Sequence, residues 1–496
     1  MTRRPSLLVS ILLLGAHAAC SPSGAAPRNE AVERAAGPLV TTLASAAAAE
    51  RAAAACALRD LGDLGAMSPK AIAALEPLLA DNRRVEGLAC GNRMWSDGAE
   101  WVRITSPALE AANALAGFMP DAFSSLVRTL QASSAVARAY AAYGLGESGD
   151  PRAGGPLVAL LGDSSGDVRE RAAEALGKLE EGQATQDLQS LLQDPDARVR
   201  RAAVEALASV GARSTEAQVA ARLADSDVQV RRAAASALSS LGSSASLGAL
   251  SKAASDADRE VRKEALATLS ELDAPSALTA ARAALGDGDT GVRQEAVEIL
   301  GEHGSGGEVA DLGRALADGN WEVRQSAAEA LGSLGDGRAR KPLRDALGDG
   351  HWKVRTAAAE ALGQLQNADD REALEGLLSD PHIEVRTTAL EALGSLSDPR
   401  AAAAVGKLLR DGDWRIREAA AEALGELNTT ETAALLTPAL ADSHWKVRKA
   451  AVDSLSQLED PATLPALRKL LRDPSAEVRE AATDAVAELS ESGEDD

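Results

Sequence analysis

The stretch DGHWKVRTAAAEALGQL, residues 349–365, contains a pattern that recurs through most of the chain. Its arginine, Arg355, follows Asp349 by six residues and precedes Leu362 by seven. The aspartate and the arginine return at steps of 31 residues. A fixed period of this length indicates a stacked repeat, in which each unit buries its apolar side only against its neighbours. Eleven arginines share the register: Arg169, Arg200, Arg231, Arg262, Arg293, Arg324, Arg355, Arg386, Arg417, Arg448 and Arg479.

Each repeat has the pattern of two helices joined by a short turn. In one unit, apolar residues at helical spacing (Leu374, Leu377 and Leu378) predict the first helix. The second helix is predicted to begin near Val385 and to end before Pro399, because proline after a helical pattern is a stop signal. The repeat therefore predicts an all-α fold.

The arginine of the repeat is predicted to point inward. On a helical wheel Arg355 lies about 20° from Leu362, since seven steps of about 100° come nearly full circle. A buried guanidinium needs a carboxylate or carbonyl partner, and the aspartate ahead of the second helix can also accept from backbone N–H groups. We therefore predict an Asp–Arg ladder that runs from repeat to repeat, with Asp349 as the partner of Arg355. Its members include Asp349, Arg355, Asp380, Arg386, Asp411 and Arg417.

The pattern D-x-x-x-x-V-R-x-x-A-x-x-A-L-G-x-L resembles the short HEAT-like repeat first associated with phycobilisome lyases, over about nine-tenths of the chain. The resemblance implies a right-handed α-α superhelix of about 14 helix pairs, with the second helices lining its concave side. The family includes enzymes: bilin lyases, and an iron-dependent hydroxylase that uses His-Glu pairs as ligands. This chain contains no His-Glu dipeptide. Glycines such as Gly332 are expected to close helices and not to cradle phosphate.

Composition limits the possible functions. The formal net charge of −22 argues against nucleic-acid binding, which needs a basic surface. Three scattered cysteines are too few for a zinc module. At 496 residues the chain is too long for one compact core, whereas a repeat array has no such limit.

The N-terminus has the pattern of an export signal. An apolar run at 7–16 follows Arg3 and Arg4 and is too short to remain as a membrane-spanning helix. Ala18-Ala19-Cys20 resembles the end of a bacterial lipobox, although His17 stands where that pattern prefers leucine. We predict a signal peptide at 1–19, lipidation of Cys20, and a flexible tether at 20–30. The alternatives are cleavage after Ala18, which gives a soluble periplasmic or secreted protein, and an uncleaved cytoplasmic helix.

The rest of the chain divides into three parts. Residues 31–151 are predicted to form divergent repeats with an insertion at about 82–101, residues 152–490 eleven regular repeats, and residues 491–496 an acidic tail. Cys56 lies on the second helix of the first unit and Cys90 in the insertion. In an oxidising compartment these two thiols are predicted to form a disulfide.

A column of tryptophans lies three residues before the repeat arginine: Trp321, Trp352, Trp414 and Trp445. Each indole either packs across the turn onto the next repeat or contributes to an aromatic ridge that meets a partner. Histidines directly precede Trp352, Trp445 and Ile383, the isoleucine that stands at the same register, and these are His351, His444 and His382. Because packed helices lie about 8–10 Å apart and zinc ligands about 2 Å from the ion, we interpret these histidines as solvated turn residues.

An acidic column lies five residues after the arginine, on the side of the second helix opposite the core. It is either a soluble helix face or a negative stripe along the concave side that attracts a basic segment of a partner. We name Glu329, Glu360, Glu391 and Glu422 as its central candidates for interaction.

These patterns favour a non-enzymatic protein-interaction scaffold of the bacterial cell envelope. We predict no catalytic residue, metal or cofactor, a protein partner and not a nucleic acid, and membrane contact only through the lipid anchor. The alternative is a HEAT-like-repeat enzyme or a chromophore-lyase-type protein. No feature of the sequence separates a static scaffold from a regulator that flexes.

Overall fold

The structure is a computed structural model that describes residues 35–62, 68–86, 93–96, 101–429, 431–458 and 460–491. The described chain forms repeated helix pairs, which confirms the predicted all-α fold of a solenoid. Fourteen second helices, numbered here α1 to α14, agree with the predicted number of pairs. They are α1 Ala48–Gly62, α2 Pro107–Gly117, α3 Ala135–Glu147, α4 Gly166–Lys178, α5 Ala197–Ser209, α6 Val228–Leu241, α7 Arg259–Leu272, α8 Thr290–His303, α9 Trp321–Ser333, α10 Trp352–Gln364, α11 Ile383–Ser395, α12 Trp414–Leu427, α13 Trp445–Gln457 and α14 Ala476–Glu491.

The first helices are shorter, and many are continued by 3₁₀ turns. One, Gly154–Val158, lies between the 3₁₀ turns Pro151–Ala153 and Ala159–Gly162. The others are 35–42, Pro69–Leu75, Phe123–Thr129, Thr185–Ser190, Glu216–Ala221, Leu247–Ala253, Ala274–Ala284, Val309–Ala315, Arg340–Ala346, Arg371–Glu375, Ala402–Lys407, Thr432–Leu436 and Leu464–Leu470.

The predicted insertion contains a small antiparallel sheet, which the helical pattern did not predict. Its strands are β1 (Val85–Glu86), β2 (Arg93–Ser96) and β3 (Trp101–Thr105), in the order β1-β3-β2. Val85 pairs with Thr105, and Arg93 with Ile104. Helix α2 follows directly, with Ser106 capping it by accepting from the Leu109 N–H.

Contacts divide the chain into two units, residues 1–268 and 269–496. Within each unit the core lies where the second helices pack on each other and on the first helices. In α10 the buried face comprises Val354, Ala358 and Leu362, all 0% exposed. Burying one such leucine contributes about 1.5–3 kcal/mol, so the apolar face of each second helix holds its repeat in the stack.

Within each unit, the Asp–Arg ladder joins most repeats to the next one along the chain. Arg355 Nε and Nη2 donate to the Asp380 carboxylate at 2.7 and 2.8 Å. Its Nη1 donates to the backbone carbonyl of Asp349 at 2.8 Å. Side chains of this rung are only 11% and 7% exposed. The inward arginine thus bridges two consecutive turns.

The predicted partner of Arg355 was wrong. The Asp349 carboxylate accepts from Arg324 of the preceding repeat at 2.7 and 2.8 Å and from the His351 N–H at 2.8 Å. An arginine therefore pairs with the aspartate 25 residues after it and takes only the carbonyl of the aspartate six residues before it. Even where alanine replaces that aspartate, Arg138 Nη1 donates to the Ala132 carbonyl at 2.8 Å.

Four rungs of this kind lie in the first unit and five in the second, among the described residues. They join Arg138 to Asp163, Arg169 to Asp194, Arg200 to Asp225, Arg231 to Asp256, Arg293 to Asp318, Arg324 to Asp349, Arg355 to Asp380, Arg417 to Asp442 and Arg448 to Asp473.

The rung between Arg355 and Asp380 favours the ionised carboxylate. Burial raises the pKa of Asp380, but hydrogen bonds from Arg355 and from the His382 N–H outweigh it, and the pKa lies below its usual value. A carboxyl with a lowered folded-state pKa stabilises the fold above its unfolded pKa, and this contribution is lost as the pH falls. This rung therefore holds at neutral pH and weakens in acid.

A glycine eight residues after the arginine lets successive second helices approach closely. Gly363 lies within α10, and a Cβ on it would lie 3.0 Å from the Ala392 Cα of α11. Gly332 lies within α9 in the same way against Ala361. The expectation that Gly332 closes its helix was therefore wrong. The turn after α9 is made by Gly335, whose φ is +65°.

Other predictions fall partly or wholly outside the described residues. Cys20 and the whole of the predicted signal peptide and tether lie there, and so do Cys90 and the acidic end of the chain. Cys56 is described and lies buried in α1. The disulfide between Cys56 and Cys90, the lipidation and the handedness of the superhelix remain predictions.

Arg355→Ala is expected to destabilise the stack by about 3–5 kcal/mol, because it leaves the buried Asp380 carboxylate without its arginine. Hydrogen exchange of the full chain should show faster exchange in α10 and α11. Arg415→Ala is the control, since Arg415 is 55% exposed and pairs with Asp413 at the surface. Equal protection in both variants would show that the rung does not hold the repeats together.

Gly363→Ala is expected to cost about 1–3 kcal/mol, because the new methyl group forces α10 and α11 apart. Gly376→Ala is the matched control, since no atom lies within 4 Å of a Cβ at that position. Thermal unfolding would measure both, with a clear loss expected for the first variant only. A variant at 363 as stable as the control would contradict the close-packing role.

Candidate functional site

Five consecutive second helices of the second unit, α8 to α12, each carry a glutamate at the same register, and we call this row the acidic stripe. Every member is exposed to solvent. Neighbouring helices pack about 8–10 Å apart, so successive carboxylates are separated by about one Debye length at physiological salt. The stripe comprises Glu298, Glu329, Glu360, Glu391 and Glu422.

Among the described residues, no member of the stripe takes part in an ion pair. Two of them accept hydrogen bonds from neutral side chains, Glu329 from Gln325 at 2.8 Å and Glu360 from Gln364 at 3.5 Å. A row of carboxylates without cations produces a continuous negative potential.

In the first unit the same register is neutralised. Glu174 pairs with Arg171 at 2.6 Å, and Glu205 with Arg201 at 3.6 Å. Arg201 also reaches Glu170 at 3.2 Å. The predicted acidic column is therefore two different surfaces, and its portion in α8 to α12 is the one without ion pairs among the described residues.

The difference arises one or two residues after the ladder arginine. In the first unit these positions hold the basic partners Arg171 and Arg201. In α8 to α12 neither position holds a basic residue. The missing basic residues are visible in the sequence. Their effect becomes clear only when they and the glutamates of the acidic column are placed on the same face of the helix.

Carboxylates around α11 and α12 repel one another. Although Glu391 and Glu422 contact solvent, the surrounding protein raises the pKa of each. For Glu391, the neighbouring Glu360 and Glu426 raise the pKa further. Glu418, Glu391, Glu426 and, more weakly, Asp453 do the same for Glu422. The repulsion is present above these raised pKa values and is relieved as the pH falls through them.

Beyond α12 the exposed side of the second helices forms an open groove of about 740 Å³ between α13 and α14. Asp453, Glu480 and Asp484 line it. Lys449 also lines it and pairs with Asp453 at 2.6 Å. The groove thus remains acidic but is partly neutralised.

The tryptophans form two aromatic stacks along an edge of the second unit. In the first stack, Trp321 lies on His351 with ring centroids 4.1 Å apart, and Trp352 lies on His382 at 5.5 Å. The first stack also includes the contact of His351 with Trp352 at 6.2 Å. Each indole therefore packs onto the next repeat, one of the two arrangements considered from the sequence.

The second stack repeats the arrangement with Trp414, His444 and Trp445. Trp414 lies 4.1 Å from His444, whose ring lies 6.3 Å from Trp445. Trp445 ends the stack and is 36% exposed, whereas Trp414 is half-buried. Most of the aromatic surface is thus used between repeats.

The interpretation of the histidines as solvated turn residues was wrong for His351 and His444. Both are half-buried in a stack, because the turn places each imidazole against the indole of the preceding repeat. Lysines lie over the indoles, with Lys353 Nζ 4.8 Å from the centroid of the Trp321 ring and Lys446 Nζ 5.0 Å from that of the Trp414 ring. The triplet His-Trp-Lys, at 351–353 and 444–446, was the sequence signal for this cluster.

Among the described residues, no group of three His, Cys, Asp or Glu side chains is arranged to hold a metal ion. The helices of the described residues also include none with both the length and the apolar character needed to cross a bilayer.

Solved structures similar to this chain include Kap95p in its complex with RanGDP, with 14% identity over 98% of this chain and 72% of that chain and a TM-score of 0.51. The CpcE–CpcF phycocyanin lyase complex from Nostoc sp. is 26% identical over 43% of this chain and 94% of that one, with a TM-score of 0.30. Human deoxyhypusine hydroxylase is 24% identical over 49% of this chain and 96% of that one, with a TM-score of 0.24. The Kap95p likeness supports the solenoid fold.

No curated protein matches the sequence. The model of the PBS lyase HEAT-like repeat matches residues 50–81. The model of HEAT repeats matches overlapping segments that together extend from residue 108 to residue 495. Because these segments cover well over half of the chain and coincide with the stacked helix pairs, the chain belongs to the HEAT-repeat family.

Proposed function

We propose that this protein is a non-enzymatic interaction scaffold of the bacterial cell envelope, which binds a basic segment of a partner protein along the acidic stripe. The unpaired state of the stripe carries the proposal. Five consecutive exposed carboxylates without cations are a surface whose electrostatic repulsion a cationic partner would relieve.

The recurring polar residues support a scaffold rather than an enzyme. The ladder arginines and aspartates are used between repeats, and so are the histidines of the aromatic stacks. Kap95p in its complex with Ran is an example of a protein of this fold with a protein partner. A chromophore or metal that co-purifies with the protein would favour the alternative, a lyase-type or other HEAT-like-repeat enzyme.

The spacing of the stripe suggests what the basic segment looks like. One carboxylate per repeat gives a separation of about 8–10 Å. A polyproline II segment rises about 3.1 Å per residue with three residues per turn, so every third side chain returns to one face about 9 Å further on. A segment with one lysine or arginine in every three residues would place one cation beside each glutamate.

Localisation in the envelope is the second part of the proposal. The apolar run, the lipobox-like residues before Cys20 and the polar tether support export followed by lipid anchoring. A lipid on Cys20 would hold the array at the membrane surface and leave the stripe available to a partner.

Replacing Glu329, Glu360, Glu391 and Glu422 with glutamine is expected to weaken binding of an 18-residue (Lys-Pro-Pro)₆ peptide roughly tenfold or more, since each charge contributes up to about 1 kcal/mol. Glutamine keeps the size and helix propensity of glutamate. Binding kinetics at several salt concentrations should show slower association and a weaker salt dependence.

The matched control replaces four exposed carboxylates outside the stripe with the corresponding amides. They are Asp345, Asp369, Glu372 and Glu384. It changes the net charge equally and should bind the peptide nearly as well as the unmodified protein. If both variants bind alike, net charge and not the stripe attracts the peptide. If only Trp445→Ala raises the dissociation rate, and salt has no effect on that change, the aromatic edge is the binding surface.

Cys20→Ala is expected to release the protein from the membrane when it is expressed in a bacterium that processes lipoproteins. The unmodified protein should partition into the detergent phase of Triton X-114 and yield an acylated N-terminal peptide by mass spectrometry. The alanine variant should remain in the aqueous phase. Identical partitioning of the two proteins would rule out an anchor on Cys20.

A further inference from the structure

Three contacts recur between successive second helices at the interfaces α9–α10, α10–α11 and α12–α13, whereas α13–α14 keeps only the ladder rung. The three contacts are the ladder rung, the stacking of an indole on the imidazole of the next repeat, and the close approach of a glycine to a small residue. At the interface between α11 and α12, here called the joint, the first two are missing and the third is looser.

The ladder rung is missing at the joint. Arg386 Nη1 donates to the Asp380 carbonyl at 2.7 Å, as its counterparts do. Its Nε, however, is buried without a hydrogen-bond partner in the described structure. The expected partner, Asp411, accepts from the Asp413 N–H at 2.8 Å, as Asp349 and Asp380 accept from the N–H two residues after them, but it forms no ion pair with Arg386 in the described structure. On either side of the joint the rungs are complete, from Arg355 to the carboxylate of Asp380 and from Arg417 to Asp442.

The aromatic stack is also interrupted at the joint. Ile383 stands at the register of the tryptophans and Asp413 at that of the histidines. The first stack therefore ends at His382, and the second begins at Trp414. This interruption is independent of the missing rung, because it involves different side chains at the edge of the helices.

The helices themselves approach less closely at the joint. A Cβ built on Gly394 of α11 would lie 3.3 Å from the Ala423 Cα. The corresponding distance is 3.0 Å for Gly363 to Ala392 and 3.1 Å for Gly425 to Ser454. The difference of 0.2–0.3 Å is confined to the approach of this glycine to the next helix.

Like charges face each other across the joint. Glu391 lies on α11, while Glu422 and Glu426 lie on α12, and the Glu426 carboxylate lies over Gly394 of the preceding helix. The mutual effect of these carboxylates on their pKa values indicates that they interact. The repulsion therefore acts at an interface that lacks both the ladder rung and the aromatic stack.

We infer that the joint between α11 and α12 is a hinge within the second unit, and that a basic segment lying across Glu391, Glu422 and Glu426 closes it. In a linear array no distant contact bridges a weak interface, so helices α9 to α11 and helices α12 to α14 move as separate blocks. The existence of the hinge does not depend on the proposed function, whereas its closure by a basic segment does.

Hydrogen exchange of the full chain in increasing denaturant tests the hinge. The two blocks should exchange as separate cooperative units, with the boundary between Ser395 and Trp414. The repair variant, Ile383→Trp with Asp413→His, should slow exchange across the joint roughly three- to tenfold, the effect of one restored aromatic pair.

Two controls separate the hinge from local effects. Asp413→His alone measures the loss of the Asp413 cap, which accepts from the Arg415 N–H at 3.0 Å. Trp352→Ile with His382→Asp transfers the same interruption to the interface of α10 and α11, and should create a second, weaker boundary there because its rung remains. A boundary at any other interface of the unmodified protein, or no response to the repair, would overturn the hinge.

The (Lys-Pro-Pro)₆ peptide tests the closure. It should slow exchange across the joint in the unmodified protein at least threefold, and should have no such effect in a variant with Glu391, Glu422 and Glu426 replaced by glutamine. A peptide that binds without slowing exchange overturns the closure and leaves the proposed function standing. If the peptide does not bind, the basic-segment proposal and the closure fail together, while the boundary still decides the hinge.

Discussion

The bidentate bond from the arginine of one repeat to the aspartate of the next is the interaction on which the stack depends. Apolar contacts between alanine-rich helix faces favour close packing, but they allow neighbouring helices to slide. A guanidinium that meets both oxygens of a carboxylate fixes distance and direction together. Because it also takes the carbonyl of its own turn, one side chain such as Arg355 ties two consecutive turns into register.

This bond has a consequence for the charge of the surface. Each internal rung uses one arginine and one aspartate, so the ladder is nearly neutral and contributes little to the net charge of −22. The excess negative charge lies on other residues, among them the glutamates of α8 to α12. The ladder and the acidic stripe occupy different registers of the same helices. The contacts between repeats and the charge of the exposed helix face can therefore vary independently from repeat to repeat.

The period, the helix pairs, the inward arginine and the turns were all predictable from the sequence, because each depends on spacing along a single helix. The pairing of Arg355 was not. In a strict repeat, an aspartate six residues before the arginine implies another aspartate 25 residues after it. The period alone does not show which of the two aspartates pairs with the arginine. Only the packing of consecutive turns shows that the side chain reaches forward.

The same reasoning explains the histidines and the small sheet. His351 and Trp352 are neighbours in sequence, yet His351 stacks more closely on Trp321 of the repeat before. Contacts between repeats join residues about 30 positions apart, which local patterns do not relate. The strands at Val85–Glu86, Arg93–Ser96 and Trp101–Thr105 interrupt the helical period, so the repeat that organises the rest of the chain made no prediction for them.

In a linear array the departures from the repeat are more informative about function than the repeat itself. Positions that every unit shares serve the contact between neighbours and would be needed whatever the protein binds. The absence of basic residues after the ladder arginine in α8 to α12 serves no such contact, and it leaves the stripe unpaired. The substitutions Ile383 and Asp413 likewise remove a contact that neighbouring repeats possess. Both departures occur within the second unit. Glu391 and Glu422 belong to the unpaired stripe, and they also lie on the two helices that flank the interrupted stack. A surface that repels itself across an interface without a ladder rung or an aromatic stack is the arrangement through which a bound cation would change the shape of the unit.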